Sequence, residues 1–490
     1  MMRARVAAAV VLVGFALVAM HVRRALIHAI VTYDAEPGDA PPLPQGDGPG
    51  LAPAARVRVL LVDGLAADTA RALPTWSATC ARGTNLDVDV GFPTISLPVE
   101  VALWTGLTQQ QTGIVFRSDR PIVPPLARSI PAQVPGSIAI AESHGYIVRS
   151  LGFARVEPAA DPADPARDAD ADAWRQRWFP RAMDAIASDA RLVFVHVLRV
   201  DVAGHRFGKH DDYTAIARDA DTIVGQLVAF APDARWFLLS DHGHVAAGGH
   251  GGEERDVRRV AACIAGPGVA KQRGELVHVV DVARAIADSA GVTLDRTSRA
   301  RPLSVAIAAP LPDDAVLPPL PLARGIAAIL LVAAGVLATG WGARRRWLAP
   351  WWYALASVLF VAVYGVPTLS SSVIYKPFGA GMLATWAIAL ALACVATWRG
   401  LGVTTLARVL AAQLALPIAC AAAALAACGA WPTIFGAEVA PVVPRFTAWT
   451  SPLILLAAHA ALAVALAVLG TLARRAIDRR SRPAAPRSAP

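Results

Sequence analysis

Three short, almost unbroken apolar runs stand out in the middle of the chain, each closing on an acidic residue: VRVLLVDG (57–64), RLVFVHVLRVD (191–201) and ARWFLLSDHG (234–243). Runs of this length without alternation are the pattern of strands buried on both faces. Residues 97–105, 136–145 and 211–230 have helix-like spacing and lie between the strands. The alternation predicts an α/β domain over 56–310: a largely parallel sheet sandwiched by helices. Open sheets of this kind bind ligands outside the carboxyl ends of their strands, where these acidic residues fall. EPAADPADPARDADAD (157–172) has neither period and is predicted to be a loop.

Outside this domain the pattern changes. Residues 6–20 are apolar behind Arg3 and Arg5, and read as a signal anchor within 1–31. A Pro- and Gly-rich linker occupies 32–55. Five further apolar segments lie near 325–341, 350–369, 379–398, 406–430 and 451–473, within 322–473, followed by a basic tail at 474–490. They are long enough to predict five transmembrane helices. Arg344–Arg346, Arg399 with Arg408, and the arginines after 473 alternate with the segments. By the positive-inside rule, both termini are then cytoplasmic and the α/β domain is outside. The abundance of Ala and Arg suits a bacterial inner membrane, and hence a periplasmic domain.

Charge supports the division. The chain carries +9 overall, but residues 32–321 hold 28 basic against 35 acidic residues, and the remainder 18 against 2. An acidic domain argues against nucleic acid as a partner, and the basic residues report membrane orientation. Of five cysteines, Cys80 and Cys263 lie in the domain, where an oxidising compartment would allow them to pair. Oligomeric state leaves no trace in the sequence.

Candidate chemistry gathers at the predicted strand ends: Asp63, Ser96 in FPTISLP, Asp201 and His205 in DVAGH, Asp241 and His242 in SDHG, and His250 in GGHGGE. Taken singly, an Asp here is a turn former and a Ser before a helix is a cap. As a set, carboxylates and imidazoles without thiolates are Zn²⁺ ligands. They suffice for two ions around one hydroxyl, the requirement of in-line displacement at phosphorus. Arg117 is a candidate for a substrate phosphate, and Lys209 and His210 for the pocket wall. His244 is not counted as a ligand, and His144 is read as structural in a helix. Gln413 and His459 are polar residues within apolar segments.

The ordered motifs LLVDG, FPTISLP, HVLRVDVAGH, LLSDHG and GGHGG resemble the alkaline phosphatase superfamily, in particular the type I phosphodiesterase/nucleotide pyrophosphatases and the GPI ethanolamine phosphate transferases. The resemblance covers about 56–290. It implies Ser96 as nucleophile, one metal on Asp63, Ser96, Asp241 and His242, and a second on Asp201, His205 and His250. It also implies two Zn²⁺ (Mn²⁺ or another divalent cation being the alternative) and a covalent phospho-serine intermediate. Two departures are visible. Val99 stands where the phosphodiesterases carry a phosphate-binding Asn, and Glu100 stands where sulfatases require Arg. The expected function is a membrane-anchored phosphoryl-transfer enzyme with a lipid or glycan substrate, on the pattern of a phosphoethanolamine transferase. A plain phosphatase or phosphodiesterase is the alternative within enzymes, and a non-catalytic membrane scaffold is the alternative outside them.

Overall fold

The computed structural model describes residues 46–312 except 116–127, 159–167, 247 and 253, together with helix 322–342 and a few positions elsewhere. Eight strands form one sheet: β1 (Val57–Val62), β2 (Thr84–Asp89), β3 (Ile138–Ala141), β4 (Arg155–Glu157), β5 (Leu192–Val197), β6 (Arg235–Leu239), β7 (Arg259–Ala265) and β8 (Gln272–His278). Their spatial order is β4-β3-β5-β1-β6-β7-β2-β8. All run in the direction of β1 except β7, which pairs antiparallel with both β6 and β2. The expectation of a largely parallel sheet flanked by helices therefore holds.

Strand β1 lies between β5 and β6 and is buried along its whole length. Alternate residues enter two separate cores, as strand geometry requires. Val59 and Leu61 join Phe194 and Trp104 on one face, and Leu60 and Val62 join Val195 and Trp76 on the other. The first face is covered by α3 (Ser96–Thr105) and α7 (Val279–Ala290). The second is covered by α2 (Pro74–Cys80), α4 (Asp168–Ala187) and α6 (Asp211–Phe230), while α1 (Ala67–Ala72) precedes α2 and α5 (Arg199–Phe207) precedes α6. Trp104 of α3 meets Phe153 and Phe194 edge-on at 4.9 and 5.1 Å between centroids, which seats the helix that begins at Ser96. A disulfide joins Cys80 at the end of α2 to Cys263 in β7.

Some local expectations are corrected. Residues 138–141 form β3, not part of a helix over 136–145, because IAIA is buried between β4 and β5 and its backbone pairs there. His144 sits ahead of a short helix with φ of 53°, the left-handed region, instead of within one. The acidic stretch 157–172 does not stay a loop throughout, since α4 begins at Asp168. β5 stops at Val197, so Asp201 is a helix residue and not a strand end.

Helix α8 (Leu322–Gly342) falls on the first of the five C-terminal apolar segments and exposes Ile326, Ile329, Leu330, Leu337 and Trp341. Among the described residues no helix is long and apolar enough to cross a membrane. The N-terminal anchor and the other four segments, with Gln413 and His459, lie outside the described residues.

Candidate metal centre

Every candidate ligand reaches one point at the carboxyl edge of the sheet, by different routes. β1 ends at Val62 and presents Asp63; β6 ends at Leu239, two residues before Asp241 and His242. Ser96 is the first residue of α3, so its hydroxyl sits at a helix N-terminus, whose free N–H groups favour an anion. Its Oγ lies 3.2 Å from His242 Nε2 and 3.4 Å from Asp63 Oδ1. His242 Nε2 is in turn 3.4 Å from Asp63 Oδ1 and 3.3 Å from Asp241 Oδ2.

The second group is carried by α5 and a glycine loop. Asp201 and His205 share a helix face at spacing i, i+4, with Oδ1 and Nε2 3.3 Å apart. His250 Nε2 lies 3.0 Å from His205 Nε2 and 3.5 Å from Asp201 Oδ1. His250 is returned to the site by Gly248 (φ 87°) and Gly249 (φ 106°), and by Thr94, whose hydroxyl donates to Gly252 O and accepts from Gly251 N–H. The rings of His242 and His250 stack at 3.6 Å, placing the two groups side by side.

Hydrogen bonds on the far ring nitrogens fix tautomers, and this sorts ligands from supports. His250 Nδ1 donates to Thr94 O at 2.8 Å, and His242 Nδ1 to Gly243 O at 3.2 Å. Each therefore turns an Nε2 lone pair toward the centre. His244 is opposite: its Nδ1 accepts from Gly249 N–H, so Nε2 carries the proton and faces Asp201 Oδ1 at 3.2 Å. His244 is completely buried and supports Asp201 without being a ligand. The glycine of DVAGH makes room for it, since a Cβ at Gly204 would lie 2.2 Å from His244 Nε2.

The donor set fits a pair of cations. Asp201 Oδ1 and Asp241 Oδ2 are buried without a hydrogen-bond partner, a costly state unless an ion takes the lone pairs. Ligand atoms at Zn²⁺ distances around one ion stand about 3.3 Å apart, and the separations in both groups run from 3.0 to 3.5 Å. Asp63–Asp241–His242 and Asp201–His242–His250 each bring three ligand atoms within 4.8 Å of one another, and His205 adjoins the second.

Electrostatics agree. Burial and nearby Asp201 raise the Asp63 carboxyl to about 6. Burial, Asp63 and Glu100 hold Asp241 well above the usual range. Burial lowers His250 to about 3, and with His250 alongside, holds His242 well below its ordinary value. Burial opposes ionisation of Asp201 too, yet the surrounding His205, His244 and His250 hold it well below the usual range. The centre thus has neutral imidazoles ready to ligate and carboxylates crowded enough to favour a cation.

Two of the weaker candidates are not brought in. Lys209 Nζ pairs with Asp68 at 2.9 Å and His210 is exposed ahead of α6. Arg117 lies outside the described residues. Sequence reasoning missed His196 and the role of Glu100, both completely buried beside Asp63. The available signal was a His inside the apolar run LVFVHV and an acid inside the apolar run of α3.

An α/β sheet thus carries this His/Asp constellation around a serine at a helix N-terminus. Residues 135–257 match the family described as Type I phosphodiesterase / nucleotide pyrophosphatase. No curated protein sequence matches the chain. Among solved structures, it is similar to human ectonucleotide pyrophosphatase / phosphodiesterase 5 (13% identity, 49% of this chain and 96% of that one, TM-score 0.40). It is also similar to a phosphonate monoester hydrolase from Silicibacter pomeroyi (15%, 53% and 78%, TM-score 0.35) and to a 2-O GAG sulfatase (17%, 52% and 74%, TM-score 0.40).

Proposed function

We propose that this chain is a membrane-anchored, two-zinc phosphoryl-transfer enzyme whose nucleophile is Ser96. The observation that carries the reading is the position of Ser96 Oγ, 3.2 Å from His242 Nε2 and 3.4 Å from Asp63 Oδ1, at the start of a helix. Asp63, Ser96, Asp241 and His242 would hold one ion, and Asp201, His205 and His250 the other. When bound, the pair supplies positive charge that stabilises the oxyanions of an in-line displacement.

The chain's own groups set the rest. Ser96 Oγ, 3.4 Å from Asp63 Oδ1 and 3.2 Å from His242 Nε2, gives its proton to solvent and forms a bond to phosphorus, while the ester oxygen leaves and takes up a proton from solvent. The α3 N-terminus turns backbone N–H groups toward the phosphoryl oxygens, a role made more important by Val99 in place of an amide donor. In a second displacement, water or an acceptor hydroxyl takes the phosphoryl group from Ser96 and gives up its proton. His244 holds Asp201, and Thr94 holds His250.

A lipid-borne donor of the phosphoethanolamine type, with a lipid or glycan acceptor, fits the apolar segments on either side of the domain. Placement outside the cytoplasm is supported by the arginine clusters and by the Cys80–Cys263 disulfide, since such bonds persist in oxidising compartments.

The test is hydrolysis of bis-p-nitrophenyl phosphate by the full chain in detergent, with zinc counted in the same preparation. Two zincs per chain with activity lost in Ser96→Ala is expected. No metal in the folded protein would sink the reading and favour a scaffold. Product analysis with and without an added acceptor alcohol separates transferase from hydrolase.

A further inference from the structure

Behind Ser96 lies a buried group that the two ion sites do not use. Asp63 turns Oδ1 toward Ser96 and His242, and Oδ2 the other way, to 3.2 Å from His196 Nε2. The same nitrogen is 3.0 Å from Glu100 Oε1. The three residues come from three elements: Asp63 follows β1, His196 is in β5, and Glu100 is one turn into α3, four residues after Ser96. All three are completely buried, and their ligand atoms lie within 4.8 Å of one another.

The cluster is not satisfied by its own hydrogen bonds. Asp63 Oδ2, both oxygens of Glu100 and both ring nitrogens of His196 have no hydrogen-bond partner. An imidazole offers at most one hydrogen at Nε2, and one hydrogen does not serve two carboxylates that converge on it. A carboxylate left unpaired inside a helix face packed between apolar side chains is costly. A cation at the common point takes one lone pair from each of the three residues at once. The separations of 3.0 and 3.2 Å are close to the roughly 3.3 Å expected between ligands of one small ion.

We propose that Asp63 Oδ2, the Glu100 carboxylate and His196 Nε2 form a third, fully buried divalent-cation site, with Asp63 bridging it to the ion beside Ser96. Two carboxylates and one imidazole suit Zn²⁺ or Mn²⁺. The bridge rests on the reading that Asp63 Oδ1 holds an ion. It gives Glu100 a purpose at a position where an arginine would repel one. Glu100 and His196 then act as positioning residues: the third cation clamps Asp63 from behind and so fixes the site that holds the nucleophile.

The test is a metal count on the full chain in detergent, stripped with a chelator, reloaded with Zn²⁺ alone and desalted. Three zincs per chain are expected in the wild type, and two in Glu100→Gln and in His196→Gln. Two in the wild type and two in Glu100→Gln would overturn the third site while leaving the catalytic pair intact; Glu100 and His196 would then share a proton. Three in both would also overturn it, by placing the extra ion elsewhere. None in the folded wild type would overturn the pair and the third site together. Should Glu100→Gln fail to fold, the wild-type count and His196→Gln still decide.

Discussion

The two halves of the candidate centre are built from different materials. Asp63, Asp241 and His242 are completely buried on the ends of adjacent strands, held by the sheet itself. Asp201 and His205 stand on a short helix, and His250 on a glycine loop, with side chains 12, 20 and 11% exposed. The difference suggests a division of labour: a rigid inner half that fixes the nucleophile and an outer half that a substrate oxygen reaches from solvent.

The largest test of this division is Ser96→Ala. Turnover should fall on the order of 10³-fold or more, since the covalent route is lost, while the outer ion stays bound. Loss of both ions would show that the halves are not separable. Next, Asp241→Asn should remove the inner ion and activity, yet raise the melting temperature of the ion-free protein at neutral pH. Burial beside Asp63 and Glu100 makes its charge unfavourable there, and Asn removes it. His205→Ala should remove the outer ion without that gain; equal behaviour of the two variants would break the comparison.

A pH series sharpens it. Asp63 titrates at about 6 in the folded, ion-free chain and near 3.8 when unfolded. Its raised value means that folding favours the protonated form, and ion-free stability is lost as pH rises through 6. A cation requires the ionised form. The melting-temperature gain on adding Zn²⁺ should therefore grow as pH rises through 6 and shrink as pH falls below it. His250, lowered to about 3, does not compete in that window. A gain independent of pH from 5 to 8 would contradict the inner-site assignment.

Two smaller effects follow. Gly248→Ala should cost about 1–3 kcal/mol in a thermal or denaturant melt, and weaken zinc at the outer half alone. Its φ is 87° and a Cβ would lie 2.5 Å from Gly204 O. Lys209→Ala should cost less than about 1 kcal/mol, as exposed ion pairs do, and leave the zinc count unchanged, because its partner is Asp68 and not a substrate.

Much of this was legible in the chain. β1, β5 and β6 are recognisable because strands buried on both faces need uninterrupted apolar residues, and α3 and α6 because their spacing is helical. All six candidate ligands and Ser96 announce themselves by motif order. What escaped depends on contacts distant in sequence. β2 reads TNLDVD, polar at alternate positions, and β8 reads QRGELVH, polar through most of its first half; both gain strand character only by pairing. IAIA of β3 is short enough to pass for a helix until its neighbours are known. The opposite tautomers of His242 and His244 are set by Gly243 O and Gly249 N–H, which no pattern of side chains encodes.

The reversed strand β7 has a further consequence. Because β7 runs against β6, the connection 240–258 leaves and re-enters the sheet at the same edge and between neighbouring strands. It is a tongue with both feet planted on a fixed footing, and it carries Asp241, His242 and His250. Between the feet, positions that neither carry a candidate ligand nor return His250 to the centre can be exchanged without altering the route of the chain through the sheet. A fold with this connection can acquire new substrates by rewriting one tongue, while the strand ends beneath it keep the chemistry unchanged.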